Sequence, residues 1–133
     1  MNKRLLLICF AIGMLVFSSL ACEASASTAN ITSATLTADP AGGSATTVFT
    51  PDQTFYYVVE LANAPDTTTV KAVWYSVDES GTASQMAEKE VVGSGTPITF
   101  NATNSGPWPV GAYKVELYLN DKLERTQEFT VEE

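Results

Sequence analysis

Strict alternation of apolar and polar residues is the feature that most constrains the fold of this chain. Residues 54–61, TFYYVVEL, place their strongest apolar side chains on one face: Phe55, Tyr57, Val59 and Leu61. Residues 112–120, AYKVELYLN, alternate in the same way. Because successive side chains of a β-strand point to opposite faces, both segments predict strands with one face in a core.

Similar segments follow one another from Ile31 to the end of the chain, with turn residues between them. The predicted strands are residues 31–38, 54–61, 68–77, 82–92, 98–103, 112–120 and 122–132, with a short edge segment at residues 46–49. A helix competes only over residues 84–90. The last strand is predicted to place Leu123, Phe129 and Val131 on one face, after a tight turn at Asn120-Asp121. About seven strands without a helix of normal length predict an all-β fold, a two-layer antiparallel sandwich or a small barrel.

The first residues read as an export signal. Lys3 and Arg4 precede an apolar run from Leu5 to Phe17, and small residues follow it. This order predicts a signal peptide over residues 1–21. A retained membrane helix is disfavoured, because spanning a bilayer takes roughly 20 apolar residues.

Ser19-Leu20-Ala21-Cys22 resembles the lipobox of bacterial lipoproteins, although the leucine usual three places before the cysteine stands one place later here. The resemblance implies a lipid on Cys22 and attachment to a cell membrane or cell surface. The alternative is ordinary cleavage after Ala26, which gives a soluble secreted or periplasmic protein. We further expect a flexible tether over residues 22–30 and one domain over residues 31–133.

Two local features of this domain resemble the immunoglobulin (Ig) fold. Trp74 faces inward in the third main strand, and Gly111-Ala112-Tyr113 resembles a tyrosine corner. The acidic residue often found before that glycine is absent, as is the cysteine pair of antibody domains. The segment from Trp108 to Leu123 is also similar to the ending of bacterial extracytoplasmic Ig-like accessory domains. The resemblance implies an Ig-like antiparallel β-sandwich of about seven strands, with Trp74, Gly111 and Tyr113 as structural core markers.

Composition limits the chemistry that the chain can support. It has 15 Asp and Glu, 7 Lys and Arg, and no histidine. Ser-His-Asp and Cys-His catalytic sets and histidine metal sites are therefore excluded. The net charge of −8 becomes −10 when Lys3 and Arg4 leave with the leader, which disfavours nucleic acid. The turn carboxylates lack calcium-binding spacing. From the absent histidine, the acidic charge and this spacing together, we expect no enzyme, no cofactor, no metal and no nucleic-acid partner.

The candidate binding residues are outward aromatic side chains. Tyr75 and Tyr118 are predicted to lie near Val73 on one exposed sheet face, a surface suited to protein contact. Trp108 either caps the core or stands exposed. The predicted function is a non-catalytic module of the cell envelope that contacts an envelope or extracellular protein or an assembly partner. The alternatives are carbohydrate binding, through Trp108 and neighbouring tyrosines, and a protease-inhibitor-like module.

Overall fold

The computed structural model describes residues 28–133, and within them the chain forms eight β-strands and no helix. The predicted all-β fold is confirmed, and the stretch where a helix could compete is a strand. The strands are β1 (Asn30–Thr37), β2 (Val48–Phe49), β3 (Phe55–Ala62), β4 (Thr69–Val77), β5 (Ala83–Val92), β6 (Ile98–Ala102), β7 (Gly111–Leu119) and β8 (Lys122–Val131).

The strands form two sheets. The small sheet has the order β1-β3-β6 and the large sheet the order β2-β8-β7-β4-β5. Neighbours are antiparallel except β2 and β8, which run parallel. After β1 the chain bridges back at Ala45 to Thr37 and then crosses to the large sheet as β2. The described segment from β1 to β2 therefore contributes a strand to each sheet.

One core lies between the sheets, and aromatic rings dominate it. Phe55 of the small sheet is at its centre, 4.8 Å from Phe129, 6.1 Å from Trp74 and 4.4 Å from Trp108 between ring centroids. Trp74 is 0% exposed, and its Nε1 has no hydrogen-bond acceptor among the described residues. The position of this indole therefore depends on ring packing.

The tight turn between β7 and β8 forms as predicted. Asn120 and Asp121 have φ of 50° and 65°, a left-handed conformation that Asn and Asp adopt more readily than most residues. The backbone N–H of Asn120 also donates to the carbonyl of Thr69 at 2.8 Å. This turn fixes the register of β8 on β7.

The predicted placement of Leu123 with Phe129 and Val131 is wrong. A register shift between Leu117 and Tyr118 places Leu123 opposite Tyr118, on the outer side of the large sheet. Leu123 is 46% exposed, whereas Phe129 and Val131 are buried. A bulge reverses the alternation for the residues beyond it, and the sequence pattern carried no sign of it.

No helix in the described part of the chain is long and apolar enough to cross a membrane. The predicted signal peptide, Cys22 and most of the predicted tether lie outside the described residues.

Candidate functional site

The outer side of the large sheet brings together alternate residues of β4 and β7. The strands pair so that Lys71 lies opposite Tyr118, Val73 opposite Glu116, and Tyr75 opposite Lys114. We call these residues the outer tyrosine face: Lys71, Val73, Tyr75, Lys114, Glu116 and Tyr118. The intervening residues of the same strands point into the core. Alternation thus gives each strand one face for packing and one face for solvent.

Each tyrosine of this face carries a lysine over its ring. Lys71 Nζ lies 4.8 Å from the centre of the Tyr118 ring, and Lys114 Nζ lies 4.9 Å from that of Tyr75. Both pairs join neighbouring strands and have cation–π geometry, worth about 0.5–1 kcal/mol at an exposed site. Each ring is therefore held by a lysine of the neighbouring strand.

Glu116 connects the two pairs. Its Oε2 lies 3.9 Å from Lys114 Nζ, and its Oε1 accepts a hydrogen bond of 3.4 Å from Tyr118 Oη. Below these side chains Val73 is only 3% exposed, although it belongs to the outer side. The face is therefore a thin packed layer with an apolar floor.

The same surroundings change the acidity of Tyr75. Burial, followed by the hydrogen bond and charge of Glu116, raises the pKa of its phenol from 10.0 to about 12. Both influences disfavour the phenolate. Tyr75 therefore stays protonated to a higher pH than an ordinary tyrosine.

Positive charge is confined to the large sheet. Among the described residues, every lysine and arginine lies on its strands: Lys71, Lys89, Lys114, Lys122 and Arg125. Those strands carry an equal number of glutamates, whereas the turns are acidic. The large sheet is therefore close to neutral, and the rest of the described chain is anionic.

The two tryptophans and the corner tyrosine lie in the core. Trp108 is 8% exposed, stacks on Phe55, and donates from Nε1 to the carbonyl of Gln53 at 2.9 Å. Tyr113 Oη donates to the carbonyl of Pro109 at 2.6 Å. Gly111 begins β7 with φ of 153°, a conformation that side chains disfavour. Trp108 thus caps the core and is separate from the outer tyrosine face.

The turn carboxylates have local partners. Asp78 accepts bonds from the backbone N–H groups of Ser80 and Thr82 and from the Ser80 hydroxyl, which together lower its pKa. Within residues 28–133 no group of three or more His, Cys, Asp or Glu side chains is arranged to hold a metal ion.

Sequence reasoning found Tyr75, Val73 and Tyr118 but missed Lys71, Lys114 and Glu116. The sequence did indicate that these three side chains point outward, because they alternate with core residues on the same two strands. The sequence alone does not show the register between β4 and β7, which places each lysine over a tyrosine of the neighbouring strand. A shallow trough of about 720 Å³ beside this face, lined in part by Thr47, Val48 and Ala112, was also missed.

Comparison with known proteins reveals similarity of fold to a solved structure and no match by sequence. No family model matches the sequence, and no curated protein matches it. Among solved structures, the chain is similar to the Pseudomonas fluorescens alkylpurine DNA glycosylase AlkC, bound to DNA containing an abasic site analog. The identity is 14% and the TM-score 0.50, over 79% of this chain and 30% of that chain. This chain thus spans about 30% of the glycosylase chain, and the likeness shows the fold alone.

This finding corrects three predictions from the sequence. They were a non-catalytic envelope module that contacts a protein partner, the absence of enzyme activity, and the exclusion of nucleic acid. The matched structure is an enzyme bound to DNA. The predictions went too far for physical reasons: lacking histidine excludes only certain chemistries, and net charge sums over the whole chain. Here two lysines, Lys71 and Lys114, lie over tyrosine rings on one side of a sheet.

Proposed function

We propose that this domain is a nucleic-acid-contacting accessory part of an enzyme, and that it contacts single-stranded nucleic acid with the outer tyrosine face. The observation that carries the proposal is the pair of outward lysines, Lys71 and Lys114, each of which lies over a tyrosine ring of the neighbouring strand. Aromatic rings flanked by cations suit single strands, because rings stack on bases and ammonium groups meet phosphates.

The comparison supports the accessory part of this proposal. The fold recurs as about 30% of the length of a DNA glycosylase chain bound to DNA. A domain of this size on a longer enzyme can hold the substrate while another region performs the chemistry. That activity and that substrate belong to the glycosylase, and for this chain both are proposals.

The charges set the expected strength and the direction of approach. The acidic turns and the small sheet repel phosphates, so the strand would approach from the large-sheet side. Glu116 lies between the lysines, and Glu90, Glu88 and Glu128 lie opposite Lys71, Val73 and Lys114 on the adjoining strands. These four carboxylates weaken the attraction for phosphate. A base would displace the ammonium group from a ring, and the freed lysine would meet the adjoining phosphate. We expect a Kd of about 0.1 mM, at the weak end of non-specific binding.

The proposal can be tested by fluorescence anisotropy with a labelled single-stranded oligonucleotide at several salt concentrations. With two phosphate contacts, affinity falls about sevenfold between about 50 and 200 mM salt. The double variant Lys71→Gln, Lys114→Gln should abolish binding. Lys89→Gln is the matched control, since Lys89 pairs with Ala72 on the opposite side of the sheet. Absence of binding at low salt, or equal loss in the control, would contradict the proposal.

We also propose that the two packed sheets are an Ig-like sandwich. Three observations support this finer assignment. Trp74 is buried on the strand that pairs with β7, and Tyr113 bonds back to the carbonyl of Pro109, as in a tyrosine corner. Val59 and Val115 are fully buried on the facing sheets, where antibody domains place their cysteine pair. A crystal structure with another strand order would contradict the assignment.

For location, we propose that the chain is exported and attached to a membrane through a lipid on Cys22. The support is the leader and the lipobox-like Ser19-Leu20-Ala21-Cys22. Residues 22–30 then form the tether and residues 31–133 the domain. Mass spectrometry of the mature N-terminus tests this: a chain that begins with acylated Cys22 is expected, and an unmodified chain that begins at Ser27 would contradict it.

A further inference from the structure

The strands divide the turns of the domain between two ends. At one end Thr28 Oγ1 donates to the carbonyl of Asn63, Ser94 Oγ donates to Asp66, and Asn120 Oδ1 accepts from the N–H of Thr69. We call the turns at this end the near end: residues 63–68, 93–97 and 120–121. The described chain therefore enters the domain at the near end.

The opposite end, which we call the far end, contains the loops at residues 38–44, 50–54, 78–82 and 103–110 and the C-terminal residues 132–133. Six carboxylates lie at this end: Asp39, Asp52, Asp78, Glu79, Glu132 and Glu133. Within the described part of the chain, no lysine or arginine lies in these loops. The near end has two acidic residues in its turns, Asp66 and Asp121, and the latter is followed by Lys122. The far end of the domain is therefore more negatively charged than the near end.

Chain length restricts where Cys22 can lie. From Cys22 to Thr28 the chain takes six residue steps, which span about 20 Å at most. A strand such as β5, with 10 residues, is about 33 Å long. A chain of this length, which starts at the near end, cannot reach the far end of the domain.

We propose that the near end is a lipid-facing surface, so that the domain stands on an anionic bilayer with its acidic far end pointing away. The inference rests on the proposed lipidation of Cys22. The short chain before Thr28 and the charge distribution both favour this orientation. Anionic headgroups repel the far-end carboxylates, and an upright domain keeps them beyond a Debye length of about 8–10 Å. The outer tyrosine face then stands upright and open to solvent.

The test uses the full lipidated chain on vesicles of phosphatidylethanolamine and phosphatidylglycerol that contain a headgroup-quencher lipid. A dye is attached at Thr67→Cys on the near end or at Ser105→Cys on the far end. Both side chains are exposed, and neither takes part in a side-chain hydrogen bond in the structure. Acylated Cys22 does not react with the dye, and Cys9 leaves with the leader. The matched control is the same pair of labels on a chain that begins at Glu23 and has no lipid.

We expect quenching several-fold stronger at position 67 than at position 105, and no quenching in the control without lipid. Equal quenching at both positions, or stronger quenching at position 105, would overturn the orientation while leaving lipidation intact. Failure of the full chain to join the vesicles would overturn the lipidation of Cys22 and the orientation with it.

Discussion

On β4 and β7 the inward and outward residues are immediate neighbours in sequence, yet they are held in different ways. The inward Trp74, Val115 and Leu117 are fully buried among side chains of both sheets. The outward Tyr75 and Tyr118 are held by lysines of the adjacent strand and by Glu116. Packing holds the inner face at several kcal/mol per side chain, whereas cation–π pairs hold the outer face at about 1 kcal/mol or less. The outer face can therefore exchange its partners without unfolding the domain.

The largest expected effect contrasts Trp74 with its neighbour Tyr75. Trp74→Ala should lower the free energy of unfolding by about 3–5 kcal/mol, because it leaves a cavity within the aromatic core. Tyr75→Ala should cost about 1 kcal/mol or less. Trp74→Phe should be milder than Trp74→Ala, since it keeps a ring and removes no hydrogen bond. Chemical denaturation measures all three. Equal losses for Trp74→Ala and Tyr75→Ala would remove the distinction between the faces.

Next in size is the effect of the outer tyrosines on ligand binding. The double variant Tyr75→Ala, Tyr118→Ala should lose about tenfold or more in affinity for the single-stranded oligonucleotide, because each stacked base contributes about 1–3 kcal/mol. The variant should still fold, as circular dichroism can show. A folded double variant with unchanged affinity would mean that these rings do not form the contact surface.

Tyr113→Phe should have a smaller effect, on the stability of the core and not on oligonucleotide binding. Removing the hydroxyl deletes its hydrogen bond to the carbonyl of Pro109 and should lower the free energy of unfolding by about 1 kcal/mol. Affinity for the oligonucleotide should not change, since Tyr113 faces the core. A loss of affinity without a loss of stability would show that the faces are not independent.

The smallest effect concerns the titration of Tyr75. Its folded-state pKa lies above the ordinary value, so its stabilising contribution is present below pH 10 and is lost as the pH rises through about 12. Glu116→Gln should move the Tyr75 pKa part of the way back, because burial, the larger cause, remains. The same variant should modestly raise oligonucleotide affinity. Ultraviolet absorbance of tyrosinate and anisotropy measure the two changes; an unchanged pKa would show that Glu116 does not act on this phenol.

The inner face was predictable from the sequence to a large extent. The alternation at residues 54–61 and 112–120 identified β3 and β7, and Trp74 was expected to face inward. The turn at Asn120 and Asp121 followed from residues that tolerate left-handed dihedrals. These features depend on local periodicity and local backbone preference, which a single sequence contains.

The outer face was less predictable because it depends on register between distant strands. The bulge that turns Leu123 outward and the pairing that places lysines on tyrosines are both non-local. Val73 was expected on the outer surface and lies on that side, but neighbouring side chains bury it. The parallel pairing of β2 with β8 also left no trace in the pattern of residues 46–49.

The measurement that most directly tests the separation of the two faces is backbone amide NMR of the domain during titration with the single-stranded oligonucleotide at low salt. We predict that shift changes concentrate on the outward residues of β4 and β7, around Lys71, Tyr75, Lys114 and Tyr118, and that the small sheet stays unchanged. Changes centred on the small sheet, or no changes at any oligonucleotide concentration, would contradict the account.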